Sequence, residues 1–509
     1  MNSKIAVPSS DSWTHWIEIL VGFAGSIVFV VSCNHLPFGH YVDDIKWVLL
    51  AESFLQGSVL TSWSSIPMAN TSITWGFGFL LTPVVWLFGR QELVFKIYSS
   101  MLMVAGLGFF YFSVRRLMDS GGRILLLVGL GGVSYVTSFS GNVISESGYV
   151  LMWGLICFFL SRVEAGILEP KRAFLIGVFM GFLFLIRNIG GLVAISVAGM
   201  GLTFFRKRIF LPFTVGGLIT SIPVSLYIKS ASGTWSFYAP YWKMGASRGV
   251  GFYAELISNN LYYYWKGLTC MTFVNLPELM PSNSFLKSIF VVLGFVVMGR
   301  GLFLLKEKLF GRWLIVYILG YLVVLGFWSY QAPRYLLPAY PAFMALVGMG
   351  VQGLWKKTLT RWALIGAVCL SVRSNGPEIA SLLKKSVSQP VLIPHTSEMW
   401  LRDNSTPDDV IVSMDIARIY YLAGRRGVPF IPSHDVASFV EGAKKNGVTL
   451  FHFRENNYVG AAPGMSDPIA AQHSLLRDYL FQSKLFEPVY SNPTEKTTFF
   501  RIKSIPAVL

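Results

Sequence analysis

The sequence predicts a polytopic α-helical membrane protein carrying a smaller C-terminal α/β domain. Three observations predict it. Of 509 residues, 53% are hydrophobic and only 13% charged, and mean hydropathy is +0.54, against about 25% charge in an ordinary soluble domain. Apolar runs of spanning length, about twenty residues, recur through the first three-quarters of the chain. From about Pro390 charge rises and strand-like runs alternate with helix-like ones.

The apolar runs give about eleven helices, at approximately 15–36, 91–114, 124–140, 147–162, 173–187, 189–205, 210–229, 286–305, 312–328, 333–353 and 361–374. The first follows a single early lysine, Lys4. It is longer than a signal h-region and no clear cleavage site follows, so it is expected to be retained. Every second loop is basic: Arg115, Arg116 and Arg123; Arg162, Lys171 and Arg172; Arg206, Lys207 and Arg208; Arg300, Lys306, Lys308 and Arg312; Lys356, Lys357 and Arg361. The positive-inside rule then places the N-terminus in the cytoplasm of a cell (inner) membrane and the C-terminal domain outside it. The net charge of +16 is thereby spread over loops between spans, which argues against a nucleic-acid face. The four cysteines are scattered and form no CxxC, so no zinc site or disulfide framework is indicated.

The chain is organised around His40 to Gly57, in the first outer loop. Asp43 and Asp44 are adjacent where the first span leaves the membrane. Ile45, Trp47, Val48, Leu49, Leu50, Phe54 and Leu55 then form an apolar face at helical spacing, and Gly57 ends the helix. A helix N-terminus favours a carboxylate, so the pair is expected at the start of a short helix lying on the membrane surface. The same loop, about 36–90, holds Asn70-Thr71-Ser72-Ile73-Thr74-Trp75-Gly76 and an apolar run to Phe88, expected as a second surface or re-entrant helix. The second outer loop carries Ser145-Glu146. Ordinary capping accounts for both residues; an ionisable group at a membrane boundary facing an aqueous cavity is the functional alternative. Arg187 stands between two outer half-spans with no acidic neighbour in sequence, a charge in want of an anion or a snorkelling arginine. The long outer loop 230–285 is rich in aromatics, which fit an interfacial belt, and contains Lys243, Arg248 and Lys266; stacking faces and cations also suit a sugar and a phosphate. Pro333-Arg334-Tyr335-Leu336-Leu337-Pro338 puts an arginine at the outer start of a span, where its fork of donors matches phosphate oxygens.

In the C-terminal domain, strands are expected at 409–413, 427–431, 449–453, 486–491 and 497–502, with helices to about Ala423, after Ser433 and from Ala470 to Gln482. No GxGxxG or P-loop pattern occurs there.

Asp43-Asp44-Ile45-Lys46-Trp47 with Leu55-Gln56-Gly57, Ser145-Glu146, and Pro333 to Pro338 together resemble the GT-C superfamily of integral-membrane glycosyltransferases. Within it the chain looks most like the polyprenyl-phosphate-sugar-dependent branch of protein-mannosyltransferase and aminoarabinose-transferase relatives. The resemblance implies transfer of a sugar from an undecaprenyl- or dolichyl-type phosphate to an extracytoplasmic acceptor hydroxyl, on a lipid-linked glycan or a protein, with inversion. Asp43 matches the family's general base, Asp44 and Glu146 would orient acceptor or metal, and Arg334, Arg187, Tyr335, Lys243 and Arg248 are the donor- and phosphate-binding candidates. Where aminoarabinose-transferase relatives carry a Lys-Pro-Pro-like segment, this chain has Thr71-Ser72-Ile73-Thr74-Trp75, which shifts the phosphate grip to Arg334, then Arg187. Some members need a divalent cation, magnesium or manganese; Asp43, Asp44 and Glu146 would be its oxygen ligands, although the chain has no metal signature. Two other readings are a transporter or flippase for a lipid-linked glycan, disfavoured by the lack of an internal repeat, and a non-catalytic lipid-sugar-binding partner of the same fold.

Overall fold

The computed structural model describes residues 12–36, 38, 42–58, 63–65, 74–162, 169–187, 189–196, 207–232, 249–271, 284–328, 331–354, 358–388, 396–455 and 468–503. Thirteen labelled helices precede the C-terminal unit: α1 Ser12–Val31, α2 Val42–Leu55, α3 Gly76–Phe88, α4 Glu92–Val114, α5 Ser120–Gly131, α6 Ser145–Leu160, α7 Pro170–Ile186, α8 Lys207–Ser232, α9 Gly249–Met271, α10 Ser284–Leu305, α11 Leu309–Gly326, α12 Tyr340–Gly350 and α13 Thr358–Ser388. Among the described residues, five helices are long and apolar enough to cross a membrane, and four shorter apolar helices accompany them.

Most described apolar runs became helices where the sequence placed them, and the departures have local causes; of the run 189–205, residues 197–205 lie outside the described residues. The run 124–140 stops at Gly131, with only a single further turn at Ser134–Thr137. The run 333–353 divides into a 3₁₀ turn at Pro333–Leu336 and the helix α12, because Pro338 and Pro341 interrupt the hydrogen-bond ladder. The run 361–374 continues to Ser388: Asn375 Oδ1 accepts from Ser134 N at 3.1 Å and its hydroxyl at 3.0 Å, and the Ser386 hydroxyl bonds Val31 O at 2.7 Å. The segment 230–285, expected as an outer loop, contains α9, whose Leu256 and Tyr264 are buried while Tyr262 is exposed.

The helices pack in pairs, α4 along α6, α7 along α8, α10 along α12 and α1 along α5. Small residues permit the closest approach: a Cβ on Gly154 of α6 would lie 2.3 Å from Gly106 O of α4. Three basic loops share one end of the bundle. Asp119 beside Arg115 and Arg116 accepts from Gly353 N at 2.6 Å, and Arg300 reaches Gly350 O and, at 2.8 Å, Gln352 O. The ends of α1 and α7 and the starts of α2 and α6 lie at the other end.

The C-terminal unit comprises α14 Thr396–Asn404, β1 Val410–Ser413, α15 Ile416–Ala423, β2 Gly427–Pro429, α16 Val436–Lys445, β3 Val448–Arg454, α17 Pro468–Gln482, β4 Phe486–Asn492 and β5 Thr497–Ile502. Its sheet runs β2-β1-β3-β5-β4. The β1–β2 and β1–β3 pairings are parallel, and β5 pairs antiparallel with β3 and β4. The parallel strands are apolar runs buried under helices, with Ile411, Val412, Leu450 and Phe451 inside. This unit rests on the first loop. Helix α15 packs on α2, the Phe38 and Tyr421 rings stand 5.5 Å apart, and residues 63–65 pair with Gly427 at the sheet edge through Gly427 N to Trp63 O and Ser65 N to Gly427 O, both 3.0 Å. Arg90 clamps the junction, holding Glu52 at 2.5 and 2.8 Å while its guanidinium lies 5.0 Å over the Tyr421 ring.

A carboxylate and arginine cluster as candidate active site

Four charged side chains from four distant segments meet at the end of the bundle away from the basic loops. Asp43 lies in the first turn of α2. Glu146 lies in the first turn of α6. Both positions put a carboxylate where the helix dipole favours it. Arg187 is the extended residue that ends α7. Arg334 lies in the 3₁₀ turn whose first residue is Pro333.

Neighbouring segments hold each donor in place. The end of α7 abuts the start of α3: Thr74 donates its hydroxyl to Ile186 O, and a Cβ on Gly76 would fall 2.6 Å from Ile186 N, so only glycine fits there. The approach to the Arg334 turn is tied down by Asn260 of α9, which donates to Gly326 O at 2.9 Å and Trp328 O at 2.5 Å and accepts from Gln331 Nε2 at 3.0 Å. Tyr135 donates to Pro333 O at 2.6 Å and Tyr321 to Tyr335 O at 2.7 Å. None of these anchors was visible in the sequence, since an Asn among aromatics, or a Tyr in an apolar span, carries no spacing signal.

Arg187 pairs with Glu146, supplying the anion its sequence context lacked. Arg334 lies 3.4 Å from Asp43 and 3.9 Å from Glu146, and Lys46 lies 4.0 Å from Asp43. Both guanidinium groups stand 5.5 Å from the centre of the Tyr335 ring, a cation–π arrangement that fixes their separation. Glu146 is buried, with 2% of its side chain exposed, whereas Asp43 keeps 37%. Burial pushes the Asp43 carboxyl up, but Lys46, Arg334 and Arg187 outweigh it and hold it below its ordinary value, so it is anionic near neutrality. Burial also works against the Arg334 charge, and Glu146 and Asp43 more than compensate. Among the described residues, the ion pairs join three cations to two carboxylates, a balance that suits an anionic ligand.

Asp44 is one residue on, about 100° round the helix, fully buried, and within electrostatic reach of Lys96. No group of three His, Cys, Asp or Glu side chains poised to hold a metal occurs among the described residues, Asp43, Asp44 and Glu146 included. Lys243, Arg248 and Thr71, Ser72 and Ile73 of the segment Thr71 to Trp75 that stands in place of the Lys-Pro-Pro-like motif lie outside the described residues.

No protein-family model matches the sequence, and no curated protein matches it. Solved structures do. ArnT from Cupriavidus metallidurans, bound to undecaprenyl phosphate, superposes with a TM-score of 0.59 at 12% identity, covering 96% of this chain and 98% of that one. The Archaeoglobus fulgidus oligosaccharyltransferase, tethered to an acceptor peptide, gives 0.58 at 13%, covering 87% and 70%. The arabinofuranosyltransferase AftD from Mycobacteria gives 0.55 at 11%; there 96% of this chain matches 40% of the larger protein. These neighbours are GT-C glycosyltransferases, and the chain has their fold.

Proposed function

We propose that the chain is a glycosyltransferase that moves a sugar from a polyprenyl phosphate, of undecaprenyl or dolichyl type, to an acceptor hydroxyl on the membrane side opposite the basic loops. The observation that carries this reading is the meeting of Asp43, Glu146, Arg187 and Arg334 at one place, from segments as much as 291 residues apart. The shared fold supports it, since among its neighbours ArnT was crystallised with undecaprenyl phosphate and the archaeal oligosaccharyltransferase was solved with dolichol phosphate.

Asp43 acts as general base. It is the anionic, partly exposed member of the cluster, and sugar transfer needs a carboxylate within reach of the acceptor hydroxyl. The acceptor oxygen bonds to the anomeric carbon as the bond from that carbon to the phosphate oxygen breaks. The hydroxyl proton passes to Asp43, and the polyprenyl phosphate departs with the electron pair. Attack opposite the leaving group inverts the configuration. Arg334 and Arg187 bind the phosphate, where the developing charge is largest. A phosphate that draws Arg334 away from Asp43 also removes one cause of its low pKa, so donor binding makes the aspartate a stronger base. Glu146, buried beneath the guanidinium groups, is a positioning residue, and Tyr335 spaces the two cations.

In this reading the N-terminus is cytoplasmic and the C-terminal unit lies outside, which the distribution of basic loops supports. With no group poised to hold a metal among the described residues, no step is routed through one. The test is transfer from a labelled polyprenyl-phosphate sugar by membranes containing the wild-type chain or Asp43→Asn. The expected result is a new glycosidic product with wild type and a loss of about 10²–10⁴-fold in the variant, the usual weight of a general base. Undiminished transfer by Asp43→Asn removes the base. Movement of the lipid with no new glycosidic bond makes the chain a flippase.

A further inference from the structure

A cavity of about 530 Å³ lies between α1, α4 and α5, with its mouth at the end of the bundle opposite the carboxylate and arginine cluster. It runs along α1 from His15 to Phe29, about 20 Å at 1.5 Å per residue. Its shaft is apolar, with Phe23, Leu107 and Leu127 among its walls, and Gly108 faces open space there.

Its mouth is polar and cationic. The buried Glu18 accepts from Tyr111 Oη at 2.7 Å and from Arg123 Nε at 2.7 Å, so its charge is matched within the protein. Asp119 is occupied by the amides of Gly122 and Gly353, at 3.0 and 2.6 Å. Arg115 lines the mouth with its guanidinium 5.1 Å over the Phe112 ring, and the exposed Arg116 adjoins it. After those pairings cationic charge remains in excess among the described residues, beside an apolar channel long enough for an acyl chain. Basic pockets between helices near a membrane surface select anionic head groups in this way. A transmembrane peptide seated here would fill the shaft and leave the cation without a counter-charge.

We propose that this groove binds an anionic membrane phospholipid, one acyl chain in the shaft between α1, α4 and α5 and the phosphate on Arg115. The site is separate from the carboxylate and arginine cluster and does not depend on the function assigned to it.

A Cβ on Gly108 would project into open space, so Gly108→Leu fills the shaft without displacing a neighbour. The full chain in detergent is titrated with phosphatidylglycerol or phosphatidylcholine of identical acyl chains and read by native mass spectrometry. Expected is one phosphatidylglycerol bound at least tenfold tighter than phosphatidylcholine. Gly108→Leu should weaken it at least tenfold, and Arg115→Gln should erase the preference between the two lipids. Equal affinity of the wild type for both lipids overturns the proposal, with no variant needed. So does phosphatidylglycerol binding untouched by both substitutions, or a dimer of the chain that lipid does not dissociate and Gly108→Leu breaks.

Discussion

Two of the carboxylate and arginine clusters among the described residues are built differently. In the C-terminal unit Glu398 and Arg418 pair at 2.6 Å, with 3% and 6% of their side chains exposed. Arg454 lies 3.8 Å from Glu398, and the neighbouring His452 Nδ1 stands 2.7 Å from the Ser413 hydroxyl. At the membrane-domain cluster, by contrast, the contacts of Asp43 to its cations are 3.4 and 4.0 Å, and a third of Asp43 remains exposed. A closed pair exchanges its solvation for a partner and holds the fold, where loss of one member strands the other. Asp43, loosely held and partly open, can give up one partner to an incoming ligand, while Glu146 beside it is as buried as Glu398 and directly paired with Arg187. Charge type does not separate Asp43 from Glu398; pairing distance and exposure do.

Substitutions should therefore divide function from stability. The largest effect expected is that of Asp43→Asn on transfer, about 10²–10⁴-fold in rate, with the melting temperature of the full chain nearly unchanged. Glu398→Gln should do the reverse, costing about 3–5 kcal/mol of C-terminal stability by stranding Arg418. Denaturant-dependent proteolysis of residues 396–503 should report it, while turnover in the folded fraction changes little. A comparable loss of stability from Asp43→Asn would erase the distinction.

A smaller effect comes from His452. Burial lowers its pKa to about 4, despite Glu398 and Asp415 nearby. Its folded value is below the unfolded 6.5, so its contribution to stability is complete above pH 6.5 and is lost as pH falls from 6.5 to about 4. The loss amounts to roughly 3 kcal/mol. Hydrogen exchange of the β3 amides in the full chain should accelerate across that window and should not do so in His452→Phe. Smallest is Arg90→Gln. The Arg90–Glu52 pair is partly exposed, and such pairs contribute about 1 kcal/mol or less, so exchange in α2 should rise modestly with little change in overall stability.

The same contrast explains what was legible in the sequence. Apolar length and strand alternation are local, and they placed the helices α4, α6 and α7 and all five strands within a few residues. Residue chemistry at membrane boundaries singled out Asp43, Glu146, Arg187 and Arg334. Which member of an adjacent pair is buried is a matter of helix rotation, and a uniform apolar surround gives no clue to it: Asp44 is fully buried, while Asp43 keeps 37% of its side chain exposed. The burial of Glu146 was hidden for a similar reason, because it depends on α7 and the 333–336 turn closing over it. Helix α9 was hidden because its aromatics fit an interfacial belt as well as a helix face.

The central claim is that Asp43 and Arg334 face one anionic ligand. Binding of a polyprenyl phosphate to each variant tests it most directly. Arg334→Gln should weaken binding at least tenfold, and Asp43→Asn should bind as tightly as wild type or tighter, since a competing carboxylate has gone. Equal weakening in both variants, or no change in Arg334→Gln, would contradict the account.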